Sequence, residues 1–260
     1  MQGNPYQTRR YLDEYLLFHY GRSRDVCPFN FVPGEALRFH ERLRRECLLP
    51  LPSGNRAGAR IRGQHEGQGR LTRALDIGCA VGRFTFELSR VVDQAVGIDN
   101  SASFIEAAQR LAKRRSVTVR VKESGRRASE CRLVLPAFFR GSMVKFQVGD
   151  ALNLSEFGKQ SFEIVAAINL LCRLPSPRRF LSKLHRLVVP RGQLVLASPF
   201  TWLKEHTPEG EWLNSSDITR LLAPYFRLAR RRDLPFLIRE HERKYQLVIT
   251  EVMTFRREDG

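Results

Sequence analysis

The residues best suited to chemistry in this sequence form a glycine-containing turn and an aspartate that follows it. The apolar run 73–77 leads into Gly78, Ala80 and Gly82, and a second apolar run ends at Asp99. A strand, a small-residue turn, a helix and a second strand that ends in a carboxylate are typical of a nucleoside-binding βαβ unit. We expect the glycines to let the backbone approach a ligand, and Asp99 to accept hydrogen bonds from both ribose hydroxyls.

The charge before the turn narrows the choice of ligand. Asp76 places a second carboxylate where the pyrophosphate of a dinucleotide would lie. A carboxylate suits a cationic or zwitterionic ligand, so the pattern favours S-adenosylmethionine (SAM) over NAD. Cys79 within the turn and Asn100 after Asp99 complete this part of the predicted cofactor site, with simple packing as the alternative for Cys79. NAD, a purely structural turn and a fold that has lost its ligand are the other interpretations.

Alternating strands and helices must position these residues. The pattern predicts strands at 71–76, 95–99, 144–148, 162–168 and 193–197, helices at 83–91, 101–113 and 177–187, and a closing antiparallel pair at 226–231 and 245–255. It also predicts an inserted hairpin around 117–135. The fold class is therefore α/β, a Rossmann-like three-layer sandwich with a mainly parallel seven-stranded sheet and an antiparallel closing strand.

The chain divides into three predicted parts. Residues 1–49 form an N-terminal helical cap, 50–70 a flexible loop rich in Gly and Arg, and 71–260 the ligand-binding domain. In the cap, the spacing of Tyr11, Tyr15 and His19 indicates a first helix, and a second is expected over 34–48. The aromatic face of the first helix could pack on the core, cover the ligand, or do both.

Polar residues follow four of the predicted strands. Asp76, Asp99, Asp150 and Asn169 each lie at or directly after a strand end, and Ala151 follows Asp150. Ligands of open α/β sheets bind beyond the carboxyl ends of the strands. We therefore expect these residues to share one site.

Composition limits the other functions. The 260 residues are 42% hydrophobic, and no apolar run approaches the roughly 20 residues that span a bilayer. Without a signal pattern at Met1, a cytoplasmic location and no membrane partner are the expectation. The five cysteines are scattered, so no disulfide framework and no metal site is predicted. The net charge of +17 comes from 37 arginines and seven lysines, which makes nucleic-acid binding a less favoured alternative.

Residues 75–168 resemble class I SAM-dependent methyltransferases. The resemblance implies that the glycine turn holds the methionine part of SAM and that Asp99 binds the ribose. It further implies that Asp150 and Ala151 flank the adenine, and that Asn169 borders the transferred methyl group and contributes to both cofactor binding and catalysis.

The ends of the chain resemble a narrower family, the 4-mercaptohistidine N1-methyltransferases of the ovothiol pathway, also called 5-thiohistidine N-methyltransferases. The similar segments are Asn4-Pro-Tyr-Gln-Thr8, residues 12–21, Asp76–Gly82, Ala197-Ser-Pro-Phe-Thr-Trp202 and Pro235–Lys244, together with the inserted hairpin. This resemblance implies methylation of an imidazole nitrogen of a small histidine-derived thiol. It also implies a separate sulfoxide synthase that supplies the substrate.

Such a substrate calls for particular side chains. Its α-carboxylate favours an arginine, for which Arg239 is the candidate, and Glu240 could bind the ammonium group or ring N–H. A surface ion pair is an equally weighted interpretation of these two residues. The other candidates, each with core packing as an alternative, are Tyr6 and Tyr15 for substrate binding, Trp202 for stacking, and Tyr11 and His19 for catalysis.

Two further interpretations come from different functional classes. One is a nucleic-acid or protein methyltransferase that uses the basic surface, and the other is a non-catalytic partner protein with the same fold. The complete residues of the glycine turn and Asp99 favour an active cofactor site over the second of these.

Overall fold

The computed structural model describes residues 8–51, 71–159 and 161–259. Its larger sheet has seven strands, and a separate pair forms a hairpin. The strands are β1 (Arg73–Ile77), β2 (Gln94–Asp99), β3 (Ser116–Lys122), β4 (Ala128–Val134), β5 (Val144–Val148), β6 (Phe162–Ile168), β7 (Val188–Ser198), β8 (Phe226–His241) and β9 (Lys244–Arg257). The α-helices are α1 (Arg9–Tyr20), α2 (Ser23–Val26), α3 (Phe39–Arg42), α4 (Arg83–Leu88), α5 (Ala102–Arg114), α6 (Pro177–Leu181) and α7 (Ser215–Leu222).

Shorter helical turns connect these elements. A π-helical turn covers Leu43–Cys47, and 3₁₀ turns cover Gly34–Leu37, Gly141–Met143, Ser155–Phe157, Leu171–Arg173, Leu184–Arg186 and Glu209–Glu211. Within the described ranges, no helix is both long and apolar enough to cross a membrane.

The sheet has the order β5-β2-β1-β6-β7-β9-β8. The first five strands pair in parallel, whereas β9 pairs antiparallel with β7 and with β8. Strands β1 and β6 are apolar along most of their length because helices cover both faces of the sheet. The predicted α/β class, the mainly parallel seven-stranded sheet and the antiparallel closing strand are confirmed.

Two hydrophobic cores lie on opposite faces of the sheet. One joins the cap to α4, α5 and the hairpin, and it includes the buried side chains of Leu16, Phe39 and Phe86. The other lies under α6 and α7 and includes Phe162 and Phe180. The cap therefore packs on the same face of the sheet as α4, the helix that follows the glycine turn.

The first cap helix agrees with its prediction, but the second does not. The segment 34–48 is a 3₁₀ turn, a short α3 and a π turn instead of one helix, with a break at Arg38. Side chains of the β8–β9 pair bind the backbone carbonyls at its end: Thr254 donates to Cys47 O, and Arg230 donates to Glu46 O and Leu48 O. Tertiary hydrogen bonds replace the helical ones here.

Other element bounds also differ from the prediction. Helix α4 ends at Leu88 and α6 at Leu181, and β7 begins at Val188, before a register shift in its pairing with β6. Strand β8 continues through Pro235 because it lies at the sheet edge, where a missing N–H costs no ladder hydrogen bond. The hairpin predicted around 117–135 is present as β3 and β4. Most of the predicted 50–70 loop lies outside the described residues.

Candidate functional site

The glycine turn, Asp99 and Asn169 lie along the carboxyl edge of the parallel strands. Asp76 pairs in register with Gly97 of β2 and Ala166 of β6, and Asp99 pairs with Val148 of β5. Backbone hydrogen bonds extend this arrangement past the strand ends, since Gly149 N donates to Asp99 O at 3.0 Å. The strand ends therefore come together as their sequence positions predict.

Three residues of the turn have a left-handed backbone. The φ angles of Gly78, Ala80 and Gly82 are 73°, 48° and 86°. A Cβ atom on Gly82 would lie 2.5 Å from Phe146 Cε1, and one on Gly78 would lie 2.9 Å from Leu170 Cδ1. Backbone conformation and contacts within the protein therefore already require these glycines, and their role in ligand approach remains a prediction.

Asp99 ties the turn to the start of α5. Its Oδ2 accepts a hydrogen bond from Ala80 N at 2.9 Å, and its Oδ1 accepts one from Ser101 N at 2.9 Å. Each carboxylate oxygen keeps a further acceptor position, so both can also receive a hydroxyl proton. Burial raises the pKa of Asp99. These contacts orient the carboxylate for a diol such as ribose.

Asp76 is buried directly beneath the turn. Its Oδ2 accepts a hydrogen bond from Thr85 Oγ1 at 2.7 Å, whereas its Oδ1 has no partner among the described residues. Burial, together with the charge of Asp99, raises the pKa of Asp76 to about 7, even though the hydrogen bond from Thr85 lowers it. An unpaired buried carboxylate oxygen is costly, and a cationic ligand would satisfy it. The donor set thus fits SAM, whose methionine part carries an ammonium group.

This pKa predicts a pH dependence of SAM affinity. Because a cation favours the ionised form of Asp76, affinity should rise with pH from 6 to 8, by up to about tenfold per unit below the pKa. The stability of the cofactor-free protein should change in the opposite direction. The native carboxyl keeps its proton where the unfolded one has lost it, so stability falls between pH 4 and 7, roughly the interval between the two pKa values.

Calorimetric titration of SAM at several pH values checks this prediction. Asp76→Asn should bind SAM more weakly and with a much flatter pH profile, while Asp99 remains intact in the variant. An unchanged profile in the variant would assign the proton to another group.

The remaining predicted cofactor residues surround this centre. Cys79 is buried, and burial raises the pKa of its thiol well above the usual value, which favours the packing interpretation. Asn100 and Asp150 are exposed, and Asp150 Oδ1 accepts a hydrogen bond from Leu152 N at 2.8 Å. Ala151 is half-buried beside the second core. The roles of Asp150 and Ala151 at the adenine remain predictions, as do those of Cys79 and Asn100 in cofactor binding.

Asn169 follows β6 in a left-handed conformation with a φ angle of 55°. Its backbone N donates to Ala197 O at 2.8 Å, and its Oδ1 accepts a hydrogen bond from Thr250 Oγ1 at 2.7 Å. Thr250, on β9, is fully buried. The side-chain amide is therefore held in one orientation by a residue that sequence reasoning did not identify.

The predicted substrate residues of the C-terminal half have protein partners. Trp202 Nε1 donates to Leu213 O at 3.1 Å, and its ring packs on the second core. Arg239 Nη1 donates to Asp25 O at 2.9 Å, while Glu240 lies 2.9 Å from Lys244 Nζ. These contacts favour the structural interpretations, and substrate binding remains a prediction for all three.

The aromatic residues of α1 connect the cap to the cofactor edge. The ring centroid of Tyr15 lies 5.0 Å from that of Phe104 on α5, and Tyr20 Oη donates to Val81 O at 2.7 Å. Tyr11 is half-buried on the same helix. Tyr6 lies outside the described residues. Helix α1 is thus attached both to the glycine turn and to the helix whose first turn binds Asp99.

His19 lies in a different environment. It lines a cavity of about 170 Å³ together with His40, Arg38 and Arg83, and none of the strand-end residues line this cavity. The two imidazole centroids are 4.2 Å apart, and burial lowers the pKa of His19 to about 3. The structure therefore does not bring His19 to Asn169, and its catalytic role remains a prediction.

A buried ion cluster beneath α1 was not predicted. Glu87 is completely buried, and its carboxylate lies 2.9 Å from Arg83 Nη2, 2.9 Å from Arg44 Nε and 3.4 Å from Arg90 Nη1. Arg83 also donates to His19 O. The i,i+4 spacing of Arg83 and Glu87 is visible in the sequence, but the contribution of Arg44 from the cap is not.

The fold and the strand-end site together define a class I SAM-dependent methyltransferase. Residues 75–196 match the family model described as methyltransferase domain. The chain therefore contains a SAM-dependent methyltransferase domain, and SAM is its cofactor.

Solved structures agree on the fold. A SAM-dependent methyltransferase from Methanosarcina mazei is 21% identical with a TM-score of 0.51, over 72% of this chain and 93% of that one. The N-methyltransferase NodS from Bradyrhizobium japonicum is 17% identical with a TM-score of 0.50, over 73% of this chain and 87% of that one. A search of curated proteins found no match.

Proposed function

We propose that this chain transfers a methyl group from SAM to an imidazole nitrogen of a small histidine-derived thiol, such as 4-mercaptohistidine. The observation that supports this proposal most directly is the attachment of α1 to the cofactor turn through Tyr20 and Val81. Helix α1 and its C-cap Gly21 contain the segment 12–21 that resembles the ovothiol-pathway family. The segment that suggests the substrate thus packs against the turn that is predicted to hold the cofactor.

The chemistry makes limited demands on the protein. When bound, SAM supplies an electrophilic methyl group attached to a sulfonium sulfur. An imidazole nitrogen with a free lone pair is already a nucleophile, so the protein must mainly orient the ring and exclude water. The side chain of Asn169 can hydrogen-bond to the ring, and its hydrogen bond with Thr250 reduces the number of orientations it can adopt. The aromatic residues of α1 would exclude water.

An acceptor panel tests the proposal. Purified protein with SAM is offered 5-thiohistidine, histidine, a histidine-containing peptide and RNA, and the methylated product is identified by mass spectrometry. We expect methylation of 5-thiohistidine at a ring nitrogen. Transfer to RNA alone, with a steep salt dependence, would instead support the nucleic-acid methyltransferase alternative. Binding of SAM without transfer to any acceptor would support a non-catalytic partner. A separate sulfoxide synthase is the partner that this proposal requires.

Asn169→Gly tests the role of the amide without straining the backbone, because glycine accepts the positive φ angle. We expect kcat to fall by about 10- to 100-fold, since misplacing the acceptor costs rate. SAM affinity, measured by calorimetry, should change by less than about threefold, because the larger cofactor contacts come from Asp76 and Asp99.

Two variants serve as controls for Asn169→Gly. Thr250→Val should lower kcat by a smaller factor, since it removes the hydrogen bond that orients the amide but leaves the amide in place. Asn153→Gly, which removes a hydrogen bond from Ser155 Oγ at an exposed position, should leave kcat unchanged. A loss of SAM affinity as large as the loss of kcat would assign Asn169 to cofactor binding alone.

A further inference from the structure

The end of the sheet opposite the cofactor edge contains a group of basic side chains, here called the basic end. It includes the residues before β6, the residues before and at the start of β7, the start of β8 and the end of β9. Its members are Lys159, His185, Arg186, Arg191, Arg227, Arg256 and Arg257.

Three arginines on one side of the basic end lie close together. Arg227 and Arg256 are direct cross-strand partners in the pairing of β8 with β9. Burial lowers the pKa of Arg256, and the charges of Arg191 and Arg227 lower it further. Like charges in opposed positions of a sheet destabilise it. The sheet therefore tolerates an unfavourable concentration of positive charge at this position.

The hydrogen-bond acceptors of the arginines at the basic end are mostly neutral. Arg256 donates to Arg191 O at 2.8 Å and to Pro50 O at 3.1 Å, and Arg257 donates to Val188 O at 2.6 Å. Carbonyl oxygens orient a guanidinium group but do not neutralise it. Glu258 lies 3.9 Å from Arg227, a distance and exposure at which an ion pair contributes little.

On the other side of the basic end is a cavity of about 350 Å³. The residues that line it within the described part of the chain are Lys159, His185, Arg186 and Arg257, all of them basic. The ring of His185 is stacked on that of Tyr225 at 3.9 Å, with planes 8° apart, and Tyr225 is 45% exposed. The cavity therefore offers cationic donors to an anion and an exposed aromatic side chain beside them.

We propose that the basic end binds the phosphate backbone of a nucleic acid. The cationic side chains lie on both sides of the basic end. Such a spread arrangement suits a chain of phosphates better than a single small anion, because each phosphate can pair with a different side chain. Arginine is well suited to this contact, since its guanidinium group presents paired donors to phosphate oxygens.

This surface is separate from methyl transfer. The cofactor residues lie at the carboxyl ends of β1, β2, β5 and β6, whereas the basic end lies at the amino ends of β6 and β7. A nucleic acid bound there would hold the enzyme in place without presenting a base to the cofactor. Nucleic-acid binding at the basic end is therefore independent of the proposed methyl acceptor.

The test measures binding of a fluorescein-labelled 20-nucleotide single-stranded RNA by fluorescence anisotropy at several salt concentrations. The triple variant Lys159→Glu, Arg186→Glu and Arg227→Glu changes three exposed side chains of the basic end. The matched control, Arg120→Glu, Lys122→Glu and Arg126→Glu, makes the same charge change at exposed positions of the β3–β4 hairpin. Thermal melting and SAM titration verify that both variants are folded.

We expect the basic-end variant to bind RNA at least about tenfold more weakly, with a salt slope reduced by about 2, since each single-strand phosphate contact contributes about 0.7. The control should lose much less. Equal losses in both variants would show that affinity follows net charge alone and would overturn the proposal. So would absence of RNA binding by the wild-type protein at low salt. If the glutamate variant is unstable, the triple glutamine variant at the same three positions replaces it. That variant must also show a reduced salt slope, and an unchanged slope would overturn the proposal.

Discussion

Asp99→Ala is expected to weaken SAM binding by at least about 100-fold, the largest effect on affinity of any substitution in the site. A hydrogen bond to a charged acceptor contributes roughly 1.5–3 kcal/mol, and the ribose offers two hydroxyls to this carboxylate. At about 1.4 kcal/mol per tenfold change, the loss of both corresponds to two or more orders of magnitude. The variant also removes the acceptor for Ala80 N, so the glycine turn loses a hydrogen bond that connects it to the end of β2.

Isothermal titration calorimetry with SAM measures this effect, and Asp93→Ala is its matched control. Asp93 precedes β2, at the opposite end from Asp99, and its Oδ2 also accepts two hydrogen bonds, from Thr72 N and Thr72 Oγ1, both at 2.8 Å. The control should lower stability but leave SAM affinity nearly unchanged. Arg239→Ala should also have a much smaller effect than Asp99→Ala. A larger loss of affinity in Arg239→Ala would mean that the cofactor site has been assigned to the wrong residues.

The cofactor edge could be predicted because its signals are local. Apolar runs that end in Asp76, Asp99 and Asn169 specify both the strands and the polar residues at their ends. Once the strands are parallel neighbours, their ends must meet. The sequence also indicates the turn, because few residues adopt the left-handed conformations that Gly78 and Gly82 have.

The contacts that adjust the site could not be predicted, because they join distant parts of the chain. Thr250 orients Asn169 only because β9 inserts between β7 and β8. Arg239 contacts Asp25 O because β8 extends beneath the cap, ten residues beyond the predicted strand end at 231. The sequence indicates Asn169 and Arg239 as polar and well placed, but their partners, Thr250 and Asp25, depend on which surfaces meet after folding.

The segment 34–48 shows the same limitation at the level of secondary structure. The sequence predicts one helix here, but the side chains of Thr254 and Arg230 donate hydrogen bonds to the last carbonyl oxygens of the segment. The local preference for an α-helix is overridden here by tertiary hydrogen bonds. The free energy of the whole fold, and not local propensity alone, decides between a π-helical turn and an α-helical turn.

Glu87→Gln is expected to produce the largest loss of stability. The carboxylate of Glu87 is completely buried and compensates Arg44 and Arg83, whose side chains are 17% and 16% exposed. Removing one partner of a buried ion pair typically costs about 3–5 kcal/mol, because the remaining charge stays desolvated. For a chain of this size each kcal/mol lowers Tm by about 2–4 °C, so a decrease of roughly 10 °C is expected. Thermal and urea denaturation measure both quantities.

Glu123→Gln is the matched control, because its carboxylate lies 3.5 Å from Arg127 on the exposed hairpin, where the change should stay within about 0.5 kcal/mol. The double variant Glu87→Gln and Arg44→Met separates the cluster from simple loss of packing. If an unpaired Arg44 destabilises the protein once Glu87 is neutral, the double variant should lose less free energy of unfolding than Glu87→Gln and Arg44→Met lose together as single variants. Strict additivity would instead mean that Glu87 and Arg44 act independently. Coupling would identify this cluster as a link between the cap and α4, the helix that begins directly after the glycine turn.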